Sequence, residues 1–196
     1  IPTYLNSVLF LIEGRFSKKD IQEKPLIIYS GGELLSQQIC KRIKENFNNA
    51  IIYNNYGPTE VTINCLHCLI SDEMIKTGKI PTGLPLENLI YCFDDKYNKC
   101  QLGKKGELLV GGDQVMISYT SDVSKKEKLL EAENGNLFYK TGDIFEYGND
   151  GYFYYIGRVD SEVKILGNRL NLESLRTFCL KNLNLEDIVF VDKNDV

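Results

Sequence analysis

The sequence predicts an α/β fold. A βαβ portion of a mixed sheet comes first, then an antiparallel β-barrel-like subdomain, then the start of a small α+β C-terminal domain. Three observations predict it. Two short β-branched runs, Leu26-Ile27-Ile28-Tyr29 and Ala50-Ile51-Ile52-Tyr53, flank a stretch whose apolar residues recur every four positions. From Val61 onward the texture turns to short strands broken by Gly, Pro, Asn and Asp. Past residue 160 there remain a hairpin, a helix and one further strand, too little to close a core.

Taken in order, residues 4–13 are mostly apolar and predict a helix, and the polar residues 14–24 predict a connection. Residues 26–29 form a buried strand, broken by Ser30-Gly31-Gly32-Glu33. In the following helix Leu35, Ile39, Ile43 and Phe47 line one face, while Lys41, Arg42, Lys44 and Glu45 cover the others, with Ser36 as N-cap. A second strand takes residues 50–53. Strand, helix and strand in so short a stretch make a βαβ unit with parallel strands and a right-handed crossover.

Both strands then finish at one edge, where open α/β sheets place their ligands. The Ser30–Glu33 turn therefore shares a crevice with the loop Asn54-Asn55-Tyr56-Gly57-Pro58-Thr59-Glu60. Gly-Pro ends the strand, because the residue before proline is pushed out of helical geometry. A flat ring beside a hydroxyl and a carboxylate suits a nucleotide and its metal; the plainer reading is an ordinary turn. Gly31-Gly32 allows backbone to approach a flat ligand closely, or simply turns strand into helix.

The β-rich part predicts strands at 61–70, 86–93, 106–111 and 114–119, with a short amphipathic helix over 124–131. Phe138-Tyr139-Lys140 follows, and then a hairpin of 144–147 with 152–156, turned at Asn149-Asp150-Gly151. Its aromatic residues read as cross-strand packing. After Gly157-Arg158-Val159-Asp160 come a hairpin starting at 162–166 and turned at Gly167-Asn168, a helix near 172–182 and a strand at 188–191. Residues 1–159 are read as one large domain, with an α/β portion (1–70) and a β-rich portion (71–159). Residues 160–196 are a hinge and the beginning of a truncated second domain.

In 196 residues, 23 Lys and Arg are interspersed with 27 acids for a net charge of -4, which argues against a nucleic-acid or anionic-membrane surface. No run approaches a membrane span, and no basic segment leads an apolar one at the start, so the reading is cytoplasmic. Ile1-Pro2-Thr3-Tyr4 reads as a cut within a larger chain. Cys65-Leu66-His67-Cys68 has no second cysteine pair to complete a zinc site, so the six cysteines are read as reduced residues packing in strands. His67, the sole histidine, lacks a triad setting and reads as a partly exposed strand residue.

Five motifs stand in one order along the chain. They are Gly31-Gly32-Glu33-x-Leu35-Ser36; Asn54-x-Tyr56-Gly57-Pro58-Thr59-Glu60; Gly106-Glu107-Leu108-x-Val110-x-Gly112; Tyr139-Lys140-Thr141-Gly142-Asp143; and Gly157-Arg158-x-Asp160-x-x-Val163-Lys164-Ile165-x-Gly167-x-Arg169. In these the chain resembles the adenylate-forming superfamily. It is most similar there to amino-acid adenylation domains of nonribosomal peptide synthetases and to D-alanine–carrier-protein ligases.

The resemblance implies a two-step reaction. A carboxylate attacks the α-phosphate of ATP-Mg²⁺, and a carrier protein's phosphopantetheine thiol then takes the acyl group from the adenylate. It implies a nucleotide site of Gly31, Gly32, Glu33, Asn55, Tyr56, Gly57, Thr59, Asp143 and Arg158. In that site Tyr56 stacks on adenine opposite Gly31-Gly32, and Asp143 accepts from both ribose hydroxyls. Arg158 offers a planar fork of donors to ribose or phosphate. Thr59 donates to the α-phosphate and Glu60 holds Mg²⁺. Thr59, Glu60 and Lys164 are implied as catalytic, Asp160 as a hinge between half-reactions, and Gly167 with Lys164 as lining the pantetheine channel. Tyr29, Gly31, Asn55, Ile63 and Asn64 are implied as the substrate side-chain pocket, whose polar asparagines suit a small or polar amino acid.

The departures are specific. The family's glycine-rich phosphate loop and C-terminal catalytic lysine have no counterpart between residues 1 and 196, nor does the aspartate that holds the substrate amino group. Leu166 replaces an arginine, Asn171 and Ser174 replace glutamates, and Ser118 replaces a glycine before Tyr119. The competing readings are a carboxylate–CoA ligase, a non-catalytic nucleotide-binding piece, inactive alone, and a degenerate structural partner.

Overall fold

The computed structural model describes residues 1–17, 21–87, 89–93, 98–120, 127–133, 135–160, 162–165, 168–183 and 188. Helix α1 (Pro2–Arg15), strand β1 (Ile27–Gly31), helix α2 (Gln37–Asn46), strands β2 (Ile51–Tyr56) and β3 (Leu66–Leu69), helix α3 (Asp72–Thr77) and strand β4 (Leu84–Pro85) build the α/β part. Its sheet runs β1-β2-β3-β4. β1 and β2 are parallel, from Ile27↔Ile51 to Gly31↔Asn55, and the remaining pairs are antiparallel. The sheet is therefore mixed, as the fold class requires.

Local chemistry accounts for the elements. Ser36 caps α2, its hydroxyl accepting from Ile39 N at 3.3 Å. The four-residue period then buries Leu35, Ile43 and Phe47, with Cys40 one turn before Ile43, against Leu9 of α1, Ile52 of β2, Cys68 of β3 and Ile75 of α3. Helix α3 has a Ser71 cap accepting from Met74 N, acids in its first turn and a left-handed Gly78 at its end. The helices cover one face of the sheet. On the other face Ile27, Tyr29, Ile51 and Leu69 are exposed.

Strand β2 is longer than its apolar run. Asn54, Asn55 and Tyr56 pair with Cys68, His67 and Leu66 of β3, and Asn54 and Asn55 also pair with β1. A ladder on both sides holds these polar residues extended where their composition predicts a loop. Conversely, the strand expected over 61–70 shrinks to β3, because residues 59–61 form a 3₁₀ turn.

The β-rich part comprises β5 (Ile90–Cys92), β6 (Lys104–Gly111), β7 (Leu129–Glu131), β8 (Leu137–Tyr147) and β9 (Phe153–Arg158). They form one antiparallel sheet in the order β5-β6-β8-β7, with β9 on β8. The segments expected at 138–140 and 144–147 are one strand, β8, and the β8–β9 hairpin turns at 148–152, where Gly148 N donates to Tyr152 O.

Two expectations are overturned here. Residues 114–119 form no strand, because Met116 N donates to Glu60 O and Gln114 O accepts from the Thr62 hydroxyl, so their backbone serves the 59–62 turn. The helix expected over 124–131 is, at 129–131, the strand β7. Its residues pair with Leu137–Tyr139, and the closing turn places Gly135 at φ 80°. Residues 124–126 lie outside the described residues.

A second core joins Val61, Cys65 and Leu66 to Leu108, Val110, Tyr139, Phe145 and Phe153. At Gly83 the chain passes between the sheets. It bridges Phe153 of β9, and a Cβ at Gly83 would lie 2.4 Å from His67 N. Only glycine fits that crossing. Cys65 packs in the second core and Cys68 in the first, so the pair faces two different interiors. Burial pushes the Cys68 thiol up to about 11.

By contacts the chain divides into Ile1–Val159 and Asp160–Val196. In the second unit β10 (Glu162–Ile165) pairs antiparallel with β11 (Asn168–Asn171), and helix α4 (Leu172–Leu183) follows. Asn168 belongs to β11, opposite Ile165, not to the turn; Gly167 and the expected strand beyond Ile188 lie outside the described residues. Among the described residues no helix is long and apolar enough to cross a membrane.

Candidate active site

The two parts of the first unit meet at Asp143, which is 4% exposed. Asp143 sits in β8 opposite Arg158 of β9, beside two breaks in register. One lies between Glu107 and Leu109 of β6, the other between Ile144 and Phe145. Such bulges bend a strand and re-aim its side chains. Arg158 Nη1 donates to Asp143 Oδ1 at 2.7 Å, and the Tyr56 hydroxyl donates to Oδ2 at 2.5 Å. A carboxylate has about four lone-pair positions, so each oxygen keeps one for a further donor.

Thr141, fully buried, braces this centre. Its hydroxyl donates to Leu108 O at 2.8 Å and accepts from Asp143 N at 3.1 Å. Glu107 accepts from Gly142 N at 3.1 Å and faces Lys140 at 3.7 Å. The Tyr56 ring rests edge-on against Phe145 at 4.9 Å. Burial, and next the Asp143 charge, push the Tyr56 phenol above its ordinary value, so it stays a donor. The same two causes push the neighbouring Cys65 thiol up to about 12, which makes it an inert packing group.

Beyond Tyr56 the chain turns sharply. Thr59 and Glu60 lie in the 3₁₀ turn, and Thr62 and Ile63 follow in left-handed conformations at φ 52° and 73°. Two β-branched residues there store strain, a feature that collects at ligand clamps. Gly57 makes the turn possible, since a Cβ on it would lie 2.3 Å from Ile63 O and 2.7 Å from the carbonyl carbon. Gly57→Ala is expected to lower stability by about 1–3 kcal/mol, the usual range for overpacking. Urea unfolding checks it; an unchanged midpoint would refute the contact.

Thr59 is exposed, and Glu60 is half-buried with Oε1 accepting from the Tyr119 hydroxyl at 2.7 Å. Burial comes first, and contacts with Tyr139 and Glu60 next, in pushing the Tyr119 phenol up. Glu60 is a hard oxygen ligand. Among the described residues no three metal-binding side chains cluster. A single hard carboxylate such as Glu60 is of the kind that suits Mg²⁺, which takes one or two carboxylates plus phosphate oxygens and water.

The residues expected to line a side-chain pocket are only partly assembled. Gly31 and Asn55 are direct partners in the β1–β2 ladder. Tyr29 lies on the same open face and is 68% exposed. Ile63 and Asn64, both exposed, back onto Gly57. Gly32 follows Gly31 at φ 84°, where a Cβ would meet the Ile1 side chain at 3.7 Å, whereas Glu33 is engaged: its Oε2 accepts from Thr3 N at 3.1 Å and from the Thr3 hydroxyl at 2.5 Å. Asp160 and the backbone of Lys164 lie in the second unit.

Three contributors were not singled out for their roles in the sequence: Thr141 beneath Asp143, Tyr119 on Glu60, and His67 on Asn55. Thr141 lies inside the motif Tyr139-Lys140-Thr141-Gly142-Asp143. Nothing local marks the other two.

Residues 1–120 match the family described as AMP-binding enzyme. The chain is 36% identical over 168 residues to bacitracin synthase 2 of Bacillus licheniformis, covering 85% of this chain and 6% of the synthase. It is 30% identical over 167 residues to the D-alanine–D-alanyl carrier protein ligase of the same organism, covering 84% of this chain and 33% of the ligase. The solved structure of PA1221, an NRPS protein containing adenylation and PCP domains, superposes with a TM-score of 0.72 at 25% identity, over 87% of this chain and 36% of that one. The chain therefore spans 36% or less of each of these proteins.

Proposed function

The chain belongs to the AMP-binding enzyme family, and from that premise we propose that it forms part of a ligase that adenylates a small or polar amino acid and passes it to a carrier protein. The observation that carries this reading is the buried Asp143 of β8, held by Tyr56 at the end of β2 and by Arg158 of β9. The lone pairs left on its two oxygens match the two hydroxyls of a ribose. Tyr56, its hydroxyl fixed by Asp143 and its edge by Phe145, offers a ring face to adenine across from the Gly31-Gly32 backbone. Bound Mg²⁺, held by Glu60, supplies charge neutralisation for the phosphates.

In the first step a substrate carboxylate oxygen attacks the α-phosphorus, and the bond to the pyrophosphate oxygen breaks. The exposed Thr59 hydroxyl donates to the α-phosphate oxygen on which charge accumulates. Arg158 balances charge at the nucleotide while holding Asp143 in place. In the second step a phosphopantetheine thiolate attacks the acyl carbon and AMP leaves. Asp160 acts as the hinge between the two steps, and Lys164 and Gly167 serve the acceptor channel. Relatives that include a D-alanyl carrier protein ligase, and a PCP domain in PA1221, support a carrier as acceptor. A cytoplasmic site of action follows from the ATP and carrier it requires.

The test is ATP–pyrophosphate exchange by the protein, with whatever flanking segments its gene encodes, across a panel of acids. Exchange with one or a few amino acids is the expected result. Exchange only with fatty or aryl acids would overturn the amino-acid reading.

A further inference from the structure

Three rings stack across the face of the first sheet opposite its helices. Tyr29 of β1 lies on Tyr53 of β2 at 4.8 Å and 10°, and Tyr53 lies on His67 of β3 at 5.1 Å and 21°. His67 stands directly opposite Asn55 in the β2–β3 ladder, with its Nδ1 2.7 Å from Asn55 Oδ1. On its other side the Asn55 carboxamide meets the Ser30 carbonyl, to which Nδ2 donates at 3.4 Å.

These contacts determine each other. A carbonyl oxygen only accepts, so the end of the amide facing Ser30 must be the nitrogen. Oδ1 is then left facing His67, and an acceptor opposite Nδ1 requires a proton on Nδ1. Neutral His67 is therefore the Nδ1–H tautomer, with its lone pair on Nε2. The imidazole cannot easily turn away. Tyr53 covers its face, and its backbone is held where Gly83 crosses β3.

We infer that His67 is a positioning residue for substrate selection, acting through Asn55. By donating to Oδ1 it locks the carboxamide, so that the pocket wall presents one fixed hydrogen-bonding group to the substrate side chain. A fixed polar group discriminates more sharply than a rotating one, because a side chain that leaves it unpaired is penalised. The inference rests on the proposal that this face receives the substrate side chain, but its structural half does not.

Two experiments test it. His67 is the sole histidine, so the imidazole ¹⁵N spectrum of the chain at alkaline pH reports one ring. The Nδ1–H form is expected, and the Nε2–H form would overturn the proposal. In the exchange assay, His67→Phe keeps a ring on Tyr53 and removes the donor. It is expected to raise the KM for the amino acid about tenfold while leaving the KM for ATP within about twofold. His67→Asn places an amide N–H where Nδ1 stood and is expected to restore most of the loss. An unchanged amino-acid KM in His67→Phe, or an equal rise in both KM values, would refute the positioning role. Absence of exchange with every amino acid would instead defeat the function proposed above, and the tautomer would still decide the geometry.

Discussion

Asp143→Ala is expected to lower the free energy of unfolding by about 3–5 kcal/mol, the range for breaking a buried ion pair by removing one partner. The side chains of Arg158 and Asp143 are 9% and 5% exposed, so removing the carboxylate leaves a guanidinium deprived of its 2.7 Å partner where water scarcely reaches. The Tyr56 hydroxyl loses its acceptor in the same stroke. The double variant Asp143→Ala/Arg158→Leu should recover part of the loss, because it removes both charges of the pair and fills the site with apolar volume. Urea unfolding of the two single variants and the double variant closes the cycle, provided that m stays constant. A loss under about 1 kcal/mol for Asp143→Ala would mean that the pair is solvated, as surface pairs are.

Phe145→Ala should cost a similar amount, about 3–5 kcal/mol, the range for deleting a buried aromatic ring. Phe145 is wholly buried and meets Tyr56 at 4.9 Å, Tyr155 at 5.6 Å and Phe153 at 6.2 Å, each near edge-to-face. No single neighbour can collapse into the space without abandoning the other two. Phe145→Leu fills most of the volume and should cost markedly less. Equal losses for the two variants would show that ring geometry, not volume, holds this core.

Asp143→Ala and Phe145→Ala also separate the sources of order at Tyr56. Its hydroxyl is fixed by a charge and its ring by packing, and each variant removes one of them. Both should therefore weaken nucleotide binding, beyond their effect on stability, if the ring face is what receives the base.

The β1–α2–β2 unit was legible because its signals are local. Leu35, Ile39, Ile43 and Phe47 repeat at helical spacing, and β-branched runs flank them. Asp143, Tyr56 and Arg158 were legible as members of motifs. Their mutual contact was not, since it joins positions 87 and 15 residues apart. Strand limits failed where pairing overrode composition. Asn54, Asn55 and Tyr56 look like a loop until two neighbouring strands claim them. Residues 114–119 look like a strand until the 59–62 turn claims their backbone. Tyr119–Glu60 and His67–Asn55 depend on where the chain returns, which no local pattern encodes.

The crossing at Gly83 has a consequence for how this protein can change over time. The backbone there touches β3 at His67 and β9 at Phe153 together. A side chain at position 83 would run into the β3 backbone at His67 and Leu66, and the chain cannot back away without giving up its hydrogen bonds to Phe153 of β9. Position 83 is thus closed to stepwise drift. Under the proposed function, variation in substrate preference has to arise away from it, most freely on the exposed Tyr29, Ile63 and Asn64.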